Sequence, residues 1–413
     1  MNRNISTRAI RPEAELLLWS VRARIDAETA ARIEALARNT IDWDYCIRIG
    51  QSHRVLPLLY RSLNQVCPDA VPGAILEGLR QYFYRNTQRN LFLTSELLKL
   101  ITAFEQQGIS AIPFKGPILA ARIYGNIALR QYNDLDLLVR KRDILKAKDV
   151  LISQRFTSPS DNSGENSDVS DRVLETDLIA PLSPNFYVFV RDGGSIRVDL
   201  QWRITRRLFS SSLDSERFWN TLEPVTLGGR TVLNFPPDVL LWILCVHGCK
   251  HSWQRLKWVC DVAQLVELVK EDDRATFIER AIQNGNRRML FLGLLLAHEL
   301  LGTRLPAEIL KKIRSDSSVQ SVAISILDRR LDQADEVLRE GPRSVFYFKI
   351  LDSWGGRFQY CFQYLAQRIG LIFSPTRIDR SFLSLPKGLA FLYYVFRPLR
   401  LLVKYSLQPF NRG

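Results

Sequence analysis

The chain has 413 residues, with 57 basic and 43 acidic side chains, a net charge of +14 and a pI near 9.6. Its 46% hydrophobic and 24% charged content leaves ample material for a core, and at about 100–200 residues per domain the length allows two to four domains. No run of about 18 apolar residues is present, and Met1-Asn2-Arg3-Asn4 leads into a charged segment without an apolar stretch, so neither a spanning helix nor secretion is expected.

The basic balance implies an anionic partner: a nucleotide, a nucleic acid or an acidic membrane surface. Six cysteines (Cys46, Cys67, Cys245, Cys249, Cys260 and Cys361) are scattered along the chain, which does not resemble a disulfide framework, and a reducing cytoplasm is the expected location.

Residues 12 to about 92 carry apolar positions at helical spacing, broken at Pro72-Gly73. Ser95-Glu96 is expected to open a helix that runs to Gln107 and stops at Gly108. Ile109–Phe114 reads as a short strand. Gly116-Pro117 starts a helix, with Pro in the first turn, that ends near Tyr124-Gly125. A strand over Asp134–Val139 follows, then a basic helix from about Asp143 to Ser153. Residues 157–185 hold six acids and one Arg among Ser and Asn, and read as an exposed, disordered insertion. Strands resume at Phe186–Arg191 and Ile196–Trp202, joined by a turn at Gly193-Gly194. From Pro236-Pro237-Asp238 to about residue 305 the pattern is helical, and the remainder is basic and aromatic. The expected regions are a helical N-terminal region (1–92), a core (93–235), a helical domain (236–305) and a basic aromatic extension (306–413).

The chemistry concentrates in Asp134 and Asp136. A strand has a side-chain period of two, so both acids share one face while Leu135, Leu137 and Val139 take the other. Two adjacent carboxylates repel, and hard oxygen ligands of this kind suit Mg²⁺. In Ile196–Trp202 the alternation places Arg197, Asp199 and Gln201 opposite Ile196, Val198, Leu200 and Trp202. If that strand neighbours Asp134–Val139, Asp199 joins the pair, and three acids suffice for two metal ions, with Asp199 as bridging ligand or general base. Gly116 permits close backbone approach to a phosphate, the following helix offers its positive end, and Lys115 and Arg130 bring cations.

These residues resemble the DNA polymerase β-like nucleotidyltransferase superfamily, and more narrowly the bacterial group labelled "nucleotidyltransferase family protein". The matching elements are Lys115-Gly116, Tyr124-Gly125, Arg130, the Asp134/Asp136 strand and Asp199 with Trp202, followed by Leu244, His247, His251, Trp258 and Asp261 on a downstream helical pair. The resemblance covers about residues 15 to 305. Lys115-Gly116-Pro117 stands where a Gly-Ser or Gly-Gly pair is usual, and the eighteen residues from Gly116 to Asp134 exceed the spacing of minimal members.

The resemblance implies an α+β fold, with a small mixed sheet flanked by helical regions. It implies that Asp134, Asp136 and Asp199 ligate Mg²⁺ or Mn²⁺ and carry catalysis, and that Gly116, with Lys115 and Arg130, holds an NTP such as ATP. The expected reaction moves an NMP group to an acceptor hydroxyl on a protein or small molecule. The alternative is a non-catalytic nucleotide sensor or membrane-recruited interaction protein on the same fold.

His247 and His251 lie one helical turn apart, as do Cys245 and Cys249, but the two pairs point about 200° apart and cannot share a metal. Helix packing is expected for them, with a nucleotide or acceptor contact by His251 as the alternative, and Asp261 is read as a structural residue that caps or hydrogen-bonds His247 or His251. Residues 341–413 hold eleven basic and two acidic residues interleaved with aromatics, which suits packing on this protein or a partner, peripheral contact with the inner membrane surface or, as the least favoured reading, stacking on nucleic acid. No separate nucleic-acid motif is present, so nucleic acid is not an expected partner.

Overall fold

The structure is a computed structural model that describes residues 10–158, 186–204, 218–330, 343–373, 389 and 392–406. Residues 159–185, most of the expected acidic insertion, lie outside the described residues. The chain forms two compact units, Met1–Asp352 and Ser353–Gly413, and the expected regions 1–92, 93–235 and 236–305 all fall in the first.

The first unit begins with four helices, α1 (Pro12–Ser20), α2 (Ala27–Ala37), α3 (Trp43–Ser52) and α4 (Leu56–Val66). Asp26 and Asp42 cap α2 and α3 by accepting the backbone N–H groups of Thr29 and Tyr45. Helix α5 (Gly73–Gln106) is continuous for 34 residues. The expected start at Ser95 is corrected: the helix begins directly after Pro72. Its middle contains asparagines that read as helix-weakening. Asn86 and Asn90 instead point inward and donate to the carbonyls of Ala128, Ile127 and Arg130, so tertiary contacts hold the segment helical. At its end Gly108 takes φ +68°, and the N–H of Ile109 reaches back to the Phe104 carbonyl at 2.9 Å.

Strand β1 (Ala111–Pro113), helix α6 (Pro117–Tyr124), strand β2 (Leu135–Val139), helix α7 (Ile144–Ser153), and strands β3 (Phe186–Arg191) and β4 (Ile196–Gln201) follow. The fold is α+β, with a mixed four-stranded sheet in the order β1-β2-β4-β3. β2 and β4 are parallel, and both outer pairings are antiparallel. One face carries Leu135, Leu137, Val139, Ile196, Val198 and Leu200 into a core shared with Leu97 and Phe104 of α5, Ile118 of α6 and Leu151 of α7. A second, two-stranded sheet, β5 (Glu223–Leu227) with β6 (Arg230–Asn234), was not expected from sequence. Its turn is Gly228-Gly229, with φ +57° and +78°, the left-handed pair a tight hairpin needs.

The helical region comprises α8 (Pro237–Lys250), α9 (Leu256–Leu268), α10 (Arg274–Gln283), α11 (Arg287–Leu301), α12 (Ala307–Ser315), α13 (Ser317–Arg330) and α14 (Arg343–Ile350). From Val239 to Val246 α8 is buried all round, and His247 and Lys250 in its last turn are only partly buried. Its Gly248 is required by close packing, because a Cβ there would lie 2.5 Å from the Trp253 ring. The second unit contains α15 (Trp354–Phe373) and α16 (Tyr393–Ser406). Among the described residues no helix is long and apolar enough to cross a membrane.

Two of the polar links between α9 and the rest of the first unit bear on the site. His53, at the end of α3, accepts the N–H of Leu256 on Nδ1 at 3.1 Å, and its carbonyl accepts the N–H of Lys257 at 3.3 Å. Asp261 of α9 receives a bidentate pair from Arg130, 2.8 Å from Nε and 2.9 Å from Nη2, and a further bond from the Tyr124 hydroxyl at 2.9 Å. Asp261 therefore binds Arg130 and Tyr124, and the expected bond to His247 or His251 is corrected. Burial works against the Arg130 charge, but Asp261 outweighs it and raises the Arg130 pKa.

Removing one partner of such a pair leaves a buried charge uncompensated. Asp261→Asn is expected to lower stability in urea unfolding by about 3–5 kcal/mol, with much of the loss regained in Arg130→Met/Asp261→Leu. Wild-type stability in Asp261→Asn would show that this pair does not hold the helical wall.

Candidate active site

The parallel pairing of β2 with β4 sets Asp136 opposite Asp199 and Leu138 opposite Gln201. Asp134 precedes β2 by one residue, and all three carboxylates line one cavity of about 370 Å³. Asp136 is buried and accepts from Lys115 Nζ at 2.8 Å and Gln201 Nε2 at 2.7 Å. Asp199 is held by Arg197, its neighbour on the same face of β4, at 2.8 Å and 3.3 Å. Burial raises the Asp199 pKa and the nearby carboxylates of Asp136 and Asp134 add to the rise, against the opposing Arg197. For Asp134 burial also pushes upward, but Lys115, Lys257, Arg130 and Arg197 together hold its pKa below the usual carboxylate value.

Among the described residues no three His, Cys, Asp or Glu side chains are gathered closely enough to hold a metal ion as they stand. Side-chain cations occupy the carboxylates: Lys115 on Asp136 and Arg197 on Asp199. The oxygen donors themselves are of the type that a hard divalent cation takes. Three carboxylates line one cavity, and Asp199 is raised first by burial and then by the neighbouring Asp136 and Asp134, a cost of ionisation that a nearby cation would reduce.

The Lys115-Gly116-Pro117 turn borders the same cavity. Gly116 has φ +61° and ψ −127°, a conformation open to glycine, and a Cβ there would meet the Asp134 carbonyl oxygen at 3.1 Å. The glycine thus serves both the turn and the close approach of the turn to the carboxylate strand. Lys115 joins the two parts of the site, adjacent to Gly116 in sequence and bonded to Asp136 in space. Arg130 also borders the cavity, but its Nε and Nη2 both donate to Asp261.

The opposite wall comes from α8, the loop after it and the start of α9. His247 and His251 have ring centroids 4.7 Å apart, and His251 stacks on Trp258 at 5.0 Å and 25°. Burial lowers the His247 pKa well below the usual histidine value, and burial with Lys250, Lys115, Arg255 and Lys257 takes His251 to about 3, so both rings are neutral near pH 7. Cys245 and Cys249 are buried in the core, away from this wall, as the angular argument requires.

Sequence reasoning missed much of the cationic lining: Arg54, Lys250, Arg255 and Lys257, together with Arg197 as an ion-pair partner. Gln201 and Arg197 carried a signal, since they share the alternating face of Asp199. Arg54 carried none, because the α3–α4 turn reaches the cavity only through the His53 link. Arg54, Ser252 and Trp253 take φ +58°, +49° and +54°, values rare for residues with a Cβ, and Arg54 lines the cavity while the other two shape the loop at its edge. Lys257 is pushed down to about 7, first by burial and then by Arg130 and Arg54. In all, seven basic and three acidic side chains line the space, so cationic groups predominate in it.

Residues 39–302 match the family described as "Uncharacterised nucleotidyltransferase", a span that contains every residue named in this site. Among solved structures the chain is similar to an antigenic nucleotidyltransferase-like protein from Paracoccidioides brasiliensis, with 12% identity, a TM-score of 0.28, and coverage of 52% of this chain and 94% of that one. No curated protein matches the chain. The matched span covers well over half of the 413 residues and the whole of the sheet and its cavity, and the chain belongs to this nucleotidyltransferase family.

Proposed function

We propose that the protein transfers a nucleoside monophosphate from an NTP to a hydroxyl of a protein or small-molecule acceptor. The observation that carries this reading is the register of β2 against β4, which sets Asp136 and Asp199 side by side, with Asp134, across from the Gly116 turn in a basic cavity. The acceptor oxygen bonds to the α-phosphorus, the bond from that phosphorus to the bridging oxygen breaks, and pyrophosphate leaves with the electron pair. Asp199 is the carboxylate assigned to take the acceptor proton. Asp134, Asp136 and Asp199 would hold Mg²⁺ or Mn²⁺, which neutralises phosphate charge and makes the acceptor hydroxyl more acidic. The Gly116 turn supplies backbone N–H groups, and Lys115 meets the triphosphate. Arg130 contributes through Asp261, as a positioning residue that keeps Lys257 and Trp258 facing the cleft.

A nucleotide-binding protein without catalysis is the second reading. One observation favours it: Lys115 and Arg197 already neutralise two of the three carboxylates. Incubation with each α-labelled NTP, Mg²⁺ and cell lysate separates the two. Catalysis predicts Mg²⁺-dependent label transfer that is abolished in Asp134→Ala and reduced about 10²–10⁴-fold in Asp199→Asn. Nucleotide binding with no labelled acceptor under any of these conditions would leave the second reading standing.

Lys257 adds a pH dependence. Its pKa near 7 means it carries charge below that pH and loses it above. Nucleotide affinity is therefore expected to weaken several-fold as pH rises through neutrality. In Lys257→Arg the guanidinium stays charged and this component of the slope disappears, while phosphate titration, common to both proteins, remains. Identical slopes in calorimetric titrations of the two proteins would remove Lys257 from the nucleotide site.

A further inference from the structure

The second unit carries an exposed apolar stripe that the site does not use. In α15, Trp354, Phe358, Phe362 and Leu365 follow one another at spacings of four, four and three residues, which at about 100° per residue places them within a sector about 80° wide. They are 75%, 76%, 64% and 58% exposed. In α16, Tyr394, Val395 and Leu399 are likewise exposed. Large apolar side chains aligned on one face and open to solvent mark a contact surface.

The charge of the unit selects the partner. Residues 353–413 contain nine basic residues and a single acid, Asp379, and neither α15 nor α16 contains an acidic residue. Arg357 borders the stripe, its guanidinium carbon 5.0 Å from the Trp354 ring centre. On α16 the basic residues Arg397 and Arg400 lie on the side of the helix away from Tyr394, Val395 and Leu399 at helical spacing.

We infer that this unit lies on an anionic lipid surface, with the aromatic stripe of α15 at the boundary of headgroups and acyl chains and the basic residues toward lipid phosphates. An amphipathic helix with aromatics on one face and only basic charge is the pattern for such a contact. A second copy of the chain fits worse, because it would bring the same basic unit against its like. Single-stranded nucleic acid is served by separate ring faces interleaved with cations along a groove, not by a continuous apolar ridge.

The test is co-sedimentation of the full-length protein with phosphatidylcholine vesicles that contain or lack about one-third phosphatidylserine. Binding is expected to the anionic vesicles only, and to weaken with salt, since each basic residue near such a surface raises the partition about fivefold, or about 1 kcal/mol. Phe358→Glu/Phe362→Glu should lower the bound fraction at least tenfold. Both side chains are exposed, so the variant should keep the wild-type melting temperature, and Arg397→Gln/Arg400→Gln offers a second loss that leaves the stripe intact. Equal binding to both vesicle types, or unchanged binding in both variants, would overturn the proposal. So would absent vesicle binding together with an oligomer or an oligonucleotide complex that Phe358→Glu/Phe362→Glu disrupts.

Discussion

The parallel pairing of β2 and β4 is the constraint on which the site depends. Its register sets two carboxylates opposite each other on adjacent strands, an arrangement that like-charge repulsion disfavours. The opposite face explains why it holds. Leu135, Leu137, Val198 and Leu200 are fully buried, and a slip of β2 by one residue would turn Leu135 and Leu137 into the cavity and Asp136 into the core. The apolar face therefore sets the register, and the carboxylates are positioned as a consequence.

The repulsion is met by cations from several elements. Lys115 arrives from the turn before α6, Arg197 from the same strand as Asp199, and Lys257 from α9. The cations outnumber the acids in the lining, so the cavity keeps a positive field even with its ion pairs formed. Such a field favours negative charge entering the cavity. The two histidines, held neutral by burial beside these cations, give the wall stacking surface without adding charge.

The helical wall is positioned by interactions that make no contact with the carboxylates. Arg130 and Tyr124 grip Asp261, and His53 caps the start of α9. Both links end on the helix that carries Lys257 and Trp258. Trp253 fills the space left by Gly248 and turns the preceding loop, with its Nε1 donating to Cys249 Sγ at 3.3 Å. The cleft is thus shaped by a buried ion pair, a cap and one close packing contact, none of which is bonded to the three carboxylates.

Local rules made much of this readable. The alternation in Asp134–Val139 and Ile196–Trp202 depends on period-two geometry and appears in the strands as read. The glycine at position 116 was legible because few other residues can take its backbone conformation. The α+β class followed from the order of strand and helix patterns. What failed involved distance along the chain. The start of α5 at Gly73 depends on Asn86 and Asn90 finding carbonyls some forty residues away. The partner of Arg130 lies 131 residues further on, and a buried charge is satisfied by whichever acid the fold brings near, which no local pattern encodes. Arg54 reaches the cavity because His53 is held against α9. The sequence by itself determined which side chains share a face and which residues can make the turn at Gly116, because these are properties of neighbours along the backbone. Only the tertiary structure decided which cations surround the carboxylates and which acid Arg130 serves, because those pairings are set by packing between segments far apart in the chain.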